Sequence, residues 1–173
     1  MSRYFQLGQL AELQGDLEHA RLLLEQSLSL SRQSTAPTWA IARRMTSLGA
    51  VALARGDVPR ASALFVESLR MCLDGRDKVD IPMALVGLAE VARSQGQLER
   101  AARLLGAAET LSDTSGAYRG LAGNSVLERA TAAVRAQLDQ VTCAAAWAAG
   151  REMTLEAAAE DALRASQSLH IRS

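Results

Sequence analysis

The chain is poor in the residues on which many functional classes depend. Its 173 residues include two cysteines, two histidines, three prolines and one lysine, and only 3% are aromatic. Nineteen basic side chains balance nineteen acidic ones, so no net charge attracts nucleic acid or an anionic membrane. No apolar run reaches the roughly 18 residues of a membrane span, and the amino terminus lacks the pattern of a secretory signal. We therefore expect that the chain neither associates with a membrane nor contacts nucleic acid directly.

The reactive side chains are too widely spaced for a metal or catalytic centre. Cys72 and Cys143 match no ligand or redox spacing, and His19 and His170 lie in different parts of the sequence. No strand-turn-helix motif and no neighbouring histidine would activate a serine or cysteine nucleophile. We therefore expect no enzymatic activity, no metal and no cofactor. Two free thiols fit a reducing cytoplasm, which is the predicted location.

Alanine and leucine supply most of the hydrophobic residues, which make up 49% of the chain. Such a composition favours closely packed helices, since strands prefer β-branched and aromatic residues. Apolar residues recur at intervals of three and four, the period of an amphipathic helix. The pattern predicts an all-α protein, with helices over about residues 3–14, 17–32, 38–55, 58–73, 79–95 and 98–112.

One pattern of glycine, alanine and leucine occurs three times. Its central glycines are Gly15, Gly56 and Gly96, at steps of 41 and 40 residues. Self-similarity at this period is typical of stacked helical pairs, here at about 1–34, 35–75 and 76–112. Each central glycine is expected to close the first helix of its pair in the left-handed conformation. Each copy contains a Leu-Gly or Leu-Ala step, the central glycine and a later alanine. These residues are Leu7-Gly8, Gly15 and Ala20 in the first copy, Leu48-Gly49, Gly56 and Ala61 in the second, and Leu88-Ala89, Gly96 and Ala101 in the third.

The repeat stops after Ser112. A glycine- and serine-containing stretch predicts a loop over 113–125, and further helices are expected at about 126–138, 141–149 and 155–169. Terminal units of an array depart from its pattern because one face meets water, so residues 126–173 are predicted to form a helical cap. Trp39 and Trp147 are expected to fill packing gaps, with a role as exposed interface anchors as the alternative.

The three copies resemble the tetratricopeptide repeat in its variety of about 40 residues. The Leu-Gly step, the glycine between helices, the small alanine and a large apolar residue (Leu24, Phe65 or Leu105) occur in the order of that family. The signature aromatic residue of the first helix appears once, as Tyr4. This resemblance implies a right-handed solenoid of three helical hairpins, followed by the cap.

The repeat length and the tail segments 101–109, 144–151 and 153–158 are similar to the C-terminal arrays of LuxR-type and related bacterial signal-transduction ATPases. The resemblance implies a non-catalytic sensor or protein-interaction segment of a transcriptional or signal-transduction regulator. The ATPase and DNA-binding domains would lie elsewhere, since these residues contain no phosphate-binding loop, and we expect the chain to belong to a longer protein. The alternative is a free-standing adaptor or scaffold, which could form a homodimer through exposed array ends.

The first helix of each pair is expected to line a concave groove. Alignment on the glycines assigns to it Phe5, Gln9, Glu12, Arg43, Thr46, Ala50, Leu53, Met83, Val86, Glu90 and Arg93. A groove with mixed charge and apolar side chains suits a protein or peptide partner, or an effector. The same residues are equally consistent with ordinary solvated helix faces. A small-molecule site would need a deep pocket, for which the alanine-rich tail against the third pair is the candidate place.

Overall fold

The computed structural model describes the backbone of residues 3–115 and 121–169, and the side chains of 3–114 and 126–164. This part of the chain forms nine α-helices and no strand, so the prediction of an all-α protein is confirmed. The helices are α1 (Arg3–Leu13), α2 (Leu17–Gln33), α3 (Thr38–Ala54), α4 (Val58–Asp74), α5 (Ile81–Ser94), α6 (Leu98–Ser115), α7 (Leu121–Arg135), α8 (Gln140–Arg151) and α9 (Leu155–Leu169). None of these described helices has the length and apolar content needed to cross a membrane.

The first six helices pack in sequential pairs. α1 packs on α2, α3 on α4 and α5 on α6, and the pairs meet where α2 contacts α3 and α4 contacts α5. Gly15, Gly56 and Gly96 have φ angles of 80°, 81° and 76°, as expected for glycines that close the first helices. Asp16 and Asp57 then cap α2 and α4 by accepting hydrogen bonds from backbone N–H groups three residues later.

Phe65 links two of these pairs. Its ring is buried in α4 and faces Gly49 of α3 and Gly87 of α5. A Cβ atom on Gly49 would lie 2.8 Å from the ring, and one on Gly87 would overlap it. The two glycines therefore let α3 and α5 approach α4 closely enough for one aromatic side chain to fill the space between them.

The tail packs around α6. α8 lies along α6, α7 contacts α5 and α6, and α9 contacts α4 and α6. Gly106 of α6 and Gly150 of α8 allow close backbone contact, because a Cβ on Gly150 would overlap the carbonyl oxygen of Arg103. A Cβ on Gly106 would likewise overlap the carbonyl oxygen of Trp147.

The loop predicted over 113–125 is helical at both ends. α6 continues through Ser115 and α7 begins at Leu121, while residues 116–120 lie outside the described residues. The hydroxyl groups of Ser112 and Thr114 donate to the carbonyl oxygens of Ala108 and Thr110, one turn earlier in α6. Such bonds allow polar residues with a turn-like pattern to remain helical.

Candidate functional site

Three of the predicted groove residues belong to the core. Phe5, Thr46 and Val86 are buried. The Thr46 hydroxyl oxygen lies 2.7 Å from the hydroxyl oxygen of Ser68. The guanidinium of Arg44 lies over the Phe5 ring, 5.1 Å from the ring centre. These side chains hold α1, α3 and α5 to their neighbours and are not available to a partner.

The other predicted residues retain access to solvent. Gln9 is exposed and the rest are half-buried. We call this set the first-helix face: Gln9 and Glu12 on α1, Arg43, Ala50 and Leu53 on α3, and Met83, Glu90 and Arg93 on α5. The face combines apolar side chains with both signs of charge, as expected.

Three of its four charged side chains, Arg43, Glu90 and Arg93, form ion pairs within the chain. Arg43 donates from Nη2 to the Asp80 carboxylate at 2.8 Å, and its guanidinium also lies 5.2 Å from the centre of the Trp39 ring. Arg93 donates to Glu90 one turn earlier in α5, at 2.9 Å. Trp39 is itself exposed and packs under Arg43 at the surface. The face therefore offers hydrogen-bonding groups with little net charge.

Burial changes the pKa of the Glu12 carboxyl group on this face. Desolvation raises its pKa above the ordinary value, and the guanidinium of Arg129 in α7 opposes the rise. Burial disfavours the charged form, and a nearby cation favours it.

We expect Glu12→Gln to change how stability depends on pH. A raised carboxyl pKa favours folding below the unfolded-state value of about 4.3, and this contribution is lost as pH rises through the folded-state pKa. The free energy of unfolding of the variant relative to wild type should therefore increase from acidic to neutral pH. Urea denaturation across this range measures it. A carboxyl ¹³C resonance of Glu12 that titrates at or below the ordinary value would contradict the expectation.

α7 contacts α5, one of the three helices that carry the first-helix face. Its Ala130 and Val134 belong to the large core cluster on which Ala50 and Leu53 of α3 also pack. The α5 part of the face therefore has a further helix beside it. The sequence could not have shown this contact, because α7 lies outside the repeat and helical periodicity does not say where an additional helix docks.

A pocket of about 690 Å³ lies between the end of α7 and α8, in the alanine-rich tail. Its lining is largely apolar with arginines at the edge: Arg135, Leu138, Gln140, Cys143, Ala144, Trp147, Ala148 and Arg151. Trp147 donates from Nε1 to Glu109 of α6 at 3.0 Å and lies 5.6 Å below the Arg135 guanidinium of α7. Trp147 thus contacts both α6 and α7 from its position in α8.

The cysteines and histidines do not form a reactive cluster in the described part of the chain. Cys72 and Cys143 are buried. Burial and the carboxylates of Asp77 and Asp80 raise the pKa of Cys72 to about 12, which keeps the thiol protonated. His170 lies outside the described residues. No three His, Cys, Asp or Glu side chains among those described are placed to hold a metal ion.

The first-helix face and the tail pocket are therefore two candidate binding surfaces in the described part of the chain. No family of known proteins matches the chain, and no curated protein or solved structure matches it either.

Proposed function

We propose that the chain is a protein-interaction segment that binds an amphipathic helix or peptide along its first-helix face. The observation that carries this proposal is the position of α7, an amphipathic helix that contacts α5 and buries its Ala130 and Val134. A face that accepts a helix of its own chain has the apolar content and shape that helix-in-groove recognition requires.

The side chains of the face suit such a ligand. Leu53 and Met83 are half-buried and offer apolar contact, and the unbranched Met83 side chain can adapt to different partners. Gln9 and Glu12 supply polar contacts at the α1 end. Because Arg43 and Arg93 are each paired with a carboxylate, binding would depend on shape and apolar burial more than on long-range charge attraction.

We further propose that this segment serves a bacterial transcriptional or signal-transduction regulator as its sensor or interaction region. The repeat spacing and the tail sequence support this assignment. A ligand on the first-helix face would change the packing of α7 and so bias the state of domains elsewhere in the regulator. A native reading frame without ATPase or DNA-binding sequence would favour the free-standing adaptor instead.

The binding proposal can be tested with a peptide of residues 121–135, the sequence of α7. We expect the labelled peptide to bind the full chain saturably in fluorescence anisotropy. The peptide should bind more tightly to the Ala130→Glu variant. A charged side chain at this buried position weakens the packing of the chain's own α7, so that α7 competes less with the peptide. Combining Leu53→Ala and Met83→Ala with Ala130→Glu should weaken binding at least tenfold, since each truncation removes apolar contact at the centre of the face.

Leu22→Ala is the matched control, because Leu22 is an exposed leucine on α2 outside this face. It should leave peptide affinity unchanged. Failure of the peptide to bind the Ala130→Glu chain, with circular dichroism showing that the helices remain, would refute the proposal. Equal affinity for the chains with and without Leu53 and Met83 would refute it as well.

A further inference from the structure

α1 carries an exposed apolar stripe. Tyr4, Leu7 and Leu10 follow one another at intervals of three residues and therefore share one side of the helix. Their exposed fractions are 36%, 50% and 50%. At 100° per residue, this side of α1 lies opposite to Gln9 and Glu12, so the stripe is separate from the first-helix face. We call these three residues the α1 stripe.

The repeat shows what these positions do in the other two pairs. Alignment on Gly15, Gly56 and Gly96 matches the α1 stripe to Met45, Leu48 and Val51 of α3, and to Leu85, Leu88 and Val91 of α5. None of these six side chains is more than 4% exposed. Those of α3 lie in a cluster with Leu24 and Leu28 of α2, and those of α5 in a cluster with Phe65 and Leu69 of α4. In each case the second helix of the preceding pair covers the stripe.

The covering helices share a sequence pattern. Both read Ala-x-x-x-Leu/Phe-x-x-Ser-Leu, with Ala20, Leu24, Ser27 and Leu28 in α2 and Ala61, Phe65, Ser68 and Leu69 in α4. Of these residues, Phe65 faces Gly87 of α5, the helix that α4 covers. Ser27 accepts a hydrogen bond from Arg44 Nε at 2.9 Å. Arg3 occupies in α1 the position that Arg44 occupies in α3.

We propose that the α1 stripe is a docking surface for an amphipathic helix of this pattern, supplied by polypeptide outside these 173 residues. The docked helix places its apolar side against Leu7 and Leu10, as α2 contributes Leu24 and Leu28 to the cluster that buries Leu48 and Val51. The stripes of α3 and α5 are both buried with a helix of the preceding pair, at the same register, whereas the α1 stripe has no covering helix among the described residues.

A second copy of the chain does not offer such a helix. Ala20, Leu24, Ala61 and Leu69 are fully buried, so the patterned sides of α2 and α4 are already occupied. The exposed side of α8 carries Val141 and several alanines, without a large residue at its centre. The occupant is therefore the second helix of a further repeat, with the same pattern as α2 and α4.

The chain supplies a probe for this surface. A peptide of residues 57–74 with Cys72→Ser reproduces α4, which packs on the equivalent stripe of α5, together with the Asp57 cap of the helix. We expect the labelled peptide to bind the 173-residue chain with one-to-one stoichiometry. Leu7→Glu together with Leu10→Glu should weaken binding at least tenfold, because charge is placed in an apolar contact. A peptide with Phe65→Asp should not bind.

Leu22→Glu together with Leu30→Glu is the matched control, since both leucines are exposed on α2 and lie outside the stripe. This variant should bind the peptide as wild type does. No binding by the wild-type chain, or undiminished binding by the Leu7 and Leu10 variant, would overturn the proposal. A third outcome would also overturn it: sedimentation detects a dimer that the Leu7 and Leu10 changes abolish but that the peptide does not dissociate. The occupant of the stripe would then be a second copy of the chain. The Leu53 and Met83 variants should bind this peptide normally, so the two surfaces are tested independently.

Discussion

Replacing Gly150 with alanine should destabilise the packing of α8 on α6 by about 3 kcal/mol. In an exposed helix the same change would stabilise by about 1 kcal/mol, because alanine favours the helical backbone. Here the added Cβ overlaps the carbonyl oxygen of Arg103, a backbone atom that can move only if the helices separate. The expected loss is measured by urea denaturation followed by circular dichroism. Tryptophan fluorescence should shift as well, because Trp147 lies at this contact.

Two further variants test this explanation. Gly106→Ala should cause a comparable loss, since its Cβ would overlap the carbonyl oxygen of Trp147 in the same contact. Ala145→Leu adds volume on the exposed side of α8 and should change stability by less than about 0.5 kcal/mol. A Gly150→Ala protein as stable as wild type would mean that the two backbones are not in contact.

Phe65→Ala should lower the free energy of unfolding by about 3–5 kcal/mol. The ring is buried between Gly49 and Gly87, which have no side chains that could move into the space it leaves. The loss should therefore fall in the upper part of that range. Chemical denaturation with a fitted midpoint and slope measures the effect. Leu30→Ala is the control, and because Leu30 is largely exposed it should cost less than about 1 kcal/mol.

A double-mutant cycle distinguishes this close fit from general core loss. Gly87→Ala alone should destabilise the chain, because its Cβ overlaps the Phe65 ring. In the Phe65→Ala background the same methyl group occupies vacated space, so it should cost little or stabilise. We expect a coupling free energy of at least about 1 kcal/mol. Additive effects would show that the ring and Gly87 are not in contact.

The local pattern was sufficient to predict the helices and turns of the repeated region. Leu17–Gln33 forms α2 where periodicity predicted residues 17–32, and Gly15, Gly56 and Gly96 adopt the positive φ angles expected of them. These features depend on backbone preferences and on spacing over one or two turns, which the sequence displays directly. The pattern was less reliable at 113–125, where serine and threonine hydroxyls bond back to the α6 backbone and the helix continues.

Which face each residue presents was decided only by the tertiary structure. Phe5, Thr46 and Val86 fit the groove positions by alignment but are buried, and α7 packs on α5 and α6, which the sequence did not indicate. Tyr4, Leu7 and Leu10 fit core positions by alignment but are exposed. Periodicity shows that residues share one side of a helix. Burial depends on which distant segment covers that side, and helices such as α6 and α8 meet through contacts that no local spacing encodes.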